Sequence, residues 1–198
     1  GRWLLHFLLL SLAAIFLLFV VSSAFLDKSS LFPTQSETKI AAQNHAPRDS
    51  GVIGRVSRCV FIKGAVEEQL EGMPYVHIDE ISPYLRRAIV AVEDNRFYSH
   101  PGFDIEGILR ASLVNLQAGE IEEGASTITQ QLVKNLFLTG QRSMSRKVEE
   151  LVLALSMEHS YSKEEILELY LNTIYFGSGF YGVHDAARGY FGKSPADL

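Results

Sequence analysis

From Ser82 to Tyr190, apolar residues return every three or four positions, and most of these stretches begin at a residue that starts helices. That spacing lays them along one stripe of an α-helix, whereas a strand would need alternation. Ser82-Pro83 has the form of an N-cap followed by proline at the first helical position, with Leu85, Ile89 and Val92 as its stripe. Asp104 is expected to cap a second helix with Ile105, Ile108, Leu109, Leu113 and Leu116 inward, ending at Gly119. A third begins near Ser126 and turns Leu132, Val133, Leu136 and Phe137 inward. A fourth starts at Ser143 or Ser145 and carries Val148, Leu151, Val152 and Leu155. Ser162 and Glu165 form a capping box for a fifth. A glycine loop (Gly177, Gly179, Gly182) precedes a short Ala-rich helix ending near Tyr190. The fold class is mostly α, without repeats.

Upstream the pattern changes. Leu4–Leu26 is almost unbroken apolar sequence without Asp, Glu, Lys or Arg. About 20 such residues span a bilayer as a helix. Ser22-Ser23-Ala24 has the look of a leader cleavage site, but the run exceeds the ~7–15-residue core of a leader. A retained anchor over residues 4–26 is therefore expected. Arg2 places residues 1–3 on the cytoplasmic side and the rest of the chain outside the cytoplasm. Residues 27–75 read as linker, rich in Ser, Thr, Gln, Asn and Pro up to Ser50, with β-branched alternation over Val52–Ile62 suggesting a short strand. The main domain is expected over 76–198. A net charge of −5 argues against nucleic acid as a partner. The single cysteine, Cys59, excludes an internal disulfide.

Chemistry concentrates in residues 93–150. Glu93-Asp94 precedes Phe97, His100 and Gly102, a carboxylate near an aromatic and a His, which is a setting that tunes a general base. His100 lacks the close helical spacing of a zinc motif and is expected to hold the turn at Pro101-Gly102. Ser126-Thr127-Ile128-Thr129-Gln130-Gln131 is unusually polar for the start of an apolar-backed helix. Thr127, Gln131 and Lys134 share a face opposite Leu132 and Leu136, either as a solvated surface or as the lining of a site. Arg146, Lys147 and Glu150 form either a helix-surface ion pair worth ~0.2–0.5 kcal/mol or, with Lys134, a cationic cluster for phosphate. Glu93 and Glu150 are a candidate carboxylate pair of the kind glycosyl chemistry uses. Gly119–Gly124, with three glutamates between glycines, is expected to be either a mobile lip or a plain exposed loop.

These motifs resemble those of the peptidoglycan glycosyltransferases, found in class A penicillin-binding proteins and in monofunctional enzymes. The blocks are Glu93-Asp94-x-x-Phe97-x-x-His100-x-Gly102, Gly124-x-Ser126-Thr127-x-x-x-Gln131 with Lys134, and Arg146-Lys147-x-x-Glu150. Lys163, Ile166, Leu167, Glu168, Tyr170, Leu171 and Asn172 follow, then Gly182–Ala187 and Tyr190-Phe191-Gly192-Lys193. Ala125 stands where the family often has glycine. The resemblance implies a lysozyme-like fold with a groove between two lobes, continuing beyond Leu198. It implies lipid II and the growing glycan strand as substrates, and residence in the bacterial cytoplasmic membrane with the domain on the outer, periplasmic side. Glu93 would be the base and Glu150 its companion, orienting the cations or assisting at the donor. Lys134, Arg146 and Lys147 would hold pyrophosphate. Asp94, Phe97, His100, Ser126, Thr127, Gln130 and Gln131 would complete the substrate site. No cofactor is required, though a divalent cation (Mg or Mn) can assist, and other cell-wall synthesis proteins are conceivable partners. The competing functions are a lytic transglycosylase, which would need no pyrophosphate cluster, and a membrane-anchored binding protein with a dead site.

Overall fold

A computed structural model describes residues 52–118, 126–138 and 144–198. The anchor at 4–26, the linker to Ser50 and the segment Gly119–Gly124 lie outside the described residues. Among those described, eight α-helices follow one another: α1 Val52–Val60, α2 Ile62–Leu70, α3 Pro83–Glu93, α4 Ile105–Ala118, α5 Ile128–Phe137, α6 Met144–Ser160, α7 Lys163–Thr173 and α8 Gly182–Phe191. They contain no strand, only an isolated bridge between Tyr175 and Tyr181. No described helix is long and apolar enough to cross a membrane.

The core forms where α5 packs on α6 and α7. Leu132, Val133, Leu136 and Phe137 are buried there, as their spacing predicts. They meet Leu153, Ala154 and Met157 of α6 and Ile166, Leu167, Tyr170 and Leu171 of α7. The predicted caps also form. Ser82 accepts the Tyr84 amide and Pro83 opens α3. Ser162 and Glu165 close a reciprocal box on α7.

Val52–Val60 is helical and Ile62 opens the next helix, which corrects the expected strand. Arg55 and Arg58 explain why. Three residues apart, they would point to opposite faces of a strand, but on a helix they share one side. Both reach Glu149 of α6, at 3.7 and 3.3 Å. Ile62 and Val66 continue this packing from α2 into the core.

Three predicted stripes are rotated. On α6 the fully buried face is Glu149, Glu150, Leu153, Ala154 and Met157, while Val148, Leu151, Val152 and Leu155 are half-buried. The helix is packed on two sides, by α1–α2 and by α5. Its carboxylates can be buried because Arg58 and Lys147 pair with them. On α4, Gly107 and Ala111 face inward, and Ile105, Ile108 and Leu109 are exposed. Gly107 sits against the Asp104 carboxylate at the start of the same helix, where a side chain would clash. Val92 at the end of α3 is also exposed, whereas Leu85 and Ile89 touch the core.

The segment before α3 is held from a distance. Asn172 of α7 accepts the Val76 amide and donates to the Val76 carbonyl, each at 2.8 Å. Glu168, one turn earlier, accepts from the Tyr75 hydroxyl and the Ile78 amide.

Candidate active site

Glu93 and Asp94 are adjacent in sequence and opposite in fate. Asp94 follows the last turn of α3 and is buried. Its carboxylate faces His100 Nε2 at 2.9 and 3.0 Å and accepts the Ile128 amide at 3.1 Å. His100 is buried too, and its Nδ1 accepts the Gly102 amide at 3.2 Å. Nε2 therefore carries the proton that Asp94 receives. This confirms the expected structural role for His100, holding the Pro101-Gly102 turn. A side chain at Gly102 would lie within 3.1 Å of the Ala154 carbonyl on α6, at a backbone φ of +95°, so glycine is needed there.

Phe97 is completely buried, with Lys163 Nζ 4.5 Å from its ring centroid. The same ammonium donates to the His100 carbonyl and to Glu158, which also accepts from Thr129. Asp94, Phe97 and His100, expected at the substrate, are buried and hold the Pro101-Gly102 turn and the start of α5.

Thr127 and Gln130 differ from expectation in the same way. Thr127 is the N-cap of α5, where its hydroxyl accepts the Gln130 amide and the Gln130 side chain accepts the Thr127 amide. The Thr127 hydroxyl also donates to the Gly102 carbonyl at 2.7 Å. Both side chains are buried. The Thr-x-x-Gln spacing of a capping box was present in the sequence. Ser126 stays half-buried, and Gly124 lies outside the described residues.

Of the predicted site residues, Glu93 and Gln131 are joined directly. Glu93 is exposed, and its Oε2 accepts from Gln131 Nε2 at 2.8 Å. Gln131 and Lys134 are half-buried on α5. On the packed neighbour α6, Arg146 is half-buried and Lys147 exposed, with Lys147 Nζ bonded to the buried carboxylate of Glu150. The ion pair expected as the plain alternative for this cluster is therefore present, but on a buried acid rather than on a solvated face.

Sequence reasoning missed two groups. Glu149 is a buried anion that fastens α1 to α6. Tyr170, fully buried on α7, donates its hydroxyl to Gln131 Oε1 at 3.2 Å. The signal for Tyr170 was its place in the Ile166, Leu167, Leu171 stripe, since a phenol buried in core needs a polar partner. Among the described residues no cluster of three or more His, Cys, Asp or Glu could hold a metal ion.

The motifs stand in the order the family resemblance requires, with the Glu93 carboxylate exposed and Asp94 buried, and the comparisons agree. A family model described as Transglycosylase matches residues 63–198. Penicillin-binding protein 1A of Aquifex aeolicus is 54% identical over 124 residues, covering 63% of this chain and 17% of that protein. The biosynthetic peptidoglycan transglycosylase of Thiobacillus denitrificans is 52% identical over 124 residues, covering 63% of this chain and 53% of that protein. Penicillin-binding protein 1A of Escherichia coli K12 is 51% identical over 123 residues, covering 62% and 14%. The matched stretch thus spans about half or less of these relatives. The chain belongs to the transglycosylase family, the peptidoglycan glycosyltransferases to which its motifs point.

Proposed function

We propose that the protein polymerises lipid II into β-1,4-linked glycan with inversion, releasing undecaprenyl pyrophosphate. The observation that carries this reading is the exposed Glu93 carboxylate, held on one oxygen by Gln131 while its neighbour Asp94 is consumed by His100 and α5. Of the two acids, Glu93 alone is open to an acceptor. It takes the proton of the acceptor sugar's 4-hydroxyl as that oxygen bonds to the donor's anomeric carbon. The anomeric bond to pyrophosphate breaks, and its electron pair leaves with the phosphate oxygen. Lys134, Arg146 and Lys147 offset the charge that develops there. Glu150 fixes the Lys147 ammonium from below. Ser126 and Gln131 border the donor.

In this reading the helices form a lysozyme-like, two-lobed groove. Leu4–Leu26 anchors the protein by a single pass in the bacterial cytoplasmic membrane, with the domain on the periplasmic side, close to the bilayer that holds the substrate's lipid tail. The bilayer and the growing strand are its partners.

The test is full-length protein with labelled lipid II. Polymer and undecaprenyl pyrophosphate are expected, and Glu93→Gln should lower the rate by at least ~10²-fold. Untouched lipid II together with fragments released from preformed glycan would instead assign a lytic enzyme.

A further inference from the structure

We infer that Tyr170 is a positioning residue for the reaction: its buried hydroxyl, acting through the Gln131 amide, fixes the orientation of the Glu93 carboxylate. The inference rests on Glu93 being the base.

Three elements meet in this chain of bonds. Tyr170 belongs to α7, Gln131 to α5 and Glu93 to the last turn of α3. The phenol donates to Gln131 Oε1 at 3.2 Å, and Gln131 Nε2 donates to Glu93 Oε2 at 2.8 Å. A glutamine amide has an acceptor at one end and donors at the other. Turning it over would press Oε1 against a carboxylate oxygen and forfeit the bond to the base. A carboxylate can only accept, so Nε2 must face Glu93, and Oε1 is left to the phenol. The order of the whole chain follows from the charge on Glu93.

The phenol is suited to the task. It is completely buried and enclosed by the core residues of α7, so it has little freedom to move. Burial, and after it the negative charge of Glu93, pushes its ionisation well above the usual phenol range. It therefore remains a donor wherever the base is ionised. Glu93 itself sits exposed on a helix end, with several rotamers open to it. A bond to a rigid buried anchor narrows that choice, and orientation of a reacting group is worth a large part of a catalytic barrier.

Tyr170→Phe keeps the ring and removes only the hydroxyl. In full-length protein with labelled lipid II, kcat should fall about 10-fold with KM nearly unchanged. The acidic limb of kcat against pH should move up, because a Gln131 amide no longer held by the phenol gives a weaker bond to the charged Glu93 carboxylate. Gln131→Leu should move the limb in the same direction, and adding Tyr170→Phe to it should cost nothing further. An unmoved limb in Tyr170→Phe, or losses that add, overturns the inference. If Tyr170→Phe does not fold, Gln131→Leu decides, since an unmoved limb there is equally fatal. Glu93→Gln run alongside separates the two readings. Retained turnover in that variant removes the base itself, while its loss beside an unaffected Tyr170→Phe removes only the positioning role.

Discussion

The exposed rim and the buried support beneath it use the same residue types to opposite ends. Glu93, Gln131, Lys134 and Lys147 reach the surface, while Asp94, Gln130, Lys163 and Glu158 lie one layer down, where Lys163 reaches Glu158 and the His100 carbonyl. A carboxylate, an amide and an ammonium occur in both layers. Both sets lean on buried groups, Lys147 on Glu150 and Gln131 on Tyr170, and the lower set also binds backbone, through the Ile128 and Thr127 amides and the His100 carbonyl. The difference teaches that a motif marks a site without saying which of its members touch substrate. In the Glu93-Asp94 pair, one carboxylate reaches solvent while the other organises the turn and the start of α5.

If that division holds, rim substitutions should change turnover and leave melting alone, and support substitutions should do the reverse. The largest effect expected is on Asp94→Ala, which strips His100 and the Ile128 amide of a buried partner. Denaturant unfolding should show a loss of about 3 kcal/mol, the scale of a broken buried pair. Next comes Glu93→Gln, at least ~10²-fold in rate or about 2.7 kcal/mol of barrier, with stability unchanged within about 0.5 kcal/mol. An equal fall in melting temperature and rate would merge the two layers. Lys134→Ala and Arg146→Ala should each slow polymerisation about 10-fold or more, as expected for a lost charged hydrogen bond. Activity that declines only in step with folded protein would return both residues to a purely structural role.

The smallest effect belongs to a support residue far from the rim. Ser162→Ala should cost about 1 kcal/mol of stability and no specific activity. It should also depend on pH. The Ser162 backbone and hydroxyl bonds hold the Glu165 carboxyl below its ordinary range. A depressed folded value means full stabilisation above the unfolded range of about 4.3 and loss as pH falls through the lower folded value. The penalty measured by thermal melting should therefore shrink in that acid window, and a constant penalty would assign it to the hydroxyl alone.

Much of the helical frame was legible because its signals are local. Ser82-Pro83, Ser162 with Glu165, and the Leu132–Phe137 stripe depend on residues within a few positions of one another. What escaped depends on distant partners. Glu149 is tolerable inside only because Arg58 arrives from 91 residues away, and this pairing both rotates α6 and makes 52–60 helical. Ile105, Ile108 and Leu109 keep helical spacing, yet periodicity alone does not reveal which stripe is covered. Within the site, the Thr-x-x-Gln spacing of Thr127 and Gln130 already described the cap that they form, a local signal that the reading of the block as a donor lining passed over. The resemblance already separated Glu93 as the base from Asp94, but the burial of Asp94 depended on where His100 lands.

Asn172 clasps Val76 across 96 residues of chain. During synthesis the Tyr75–Ile78 segment leaves the ribosome long before its amide partner exists. At ~5–20 residues per second the wait is roughly 5–20 s. Throughout that interval the Val76 amide and carbonyl lack Asn172, and the Tyr75 hydroxyl and Ile78 amide lack Glu168. The nascent protein thus carries an unlatched extended strip until α7 emerges, which makes that strip a natural place for a chaperone to hold.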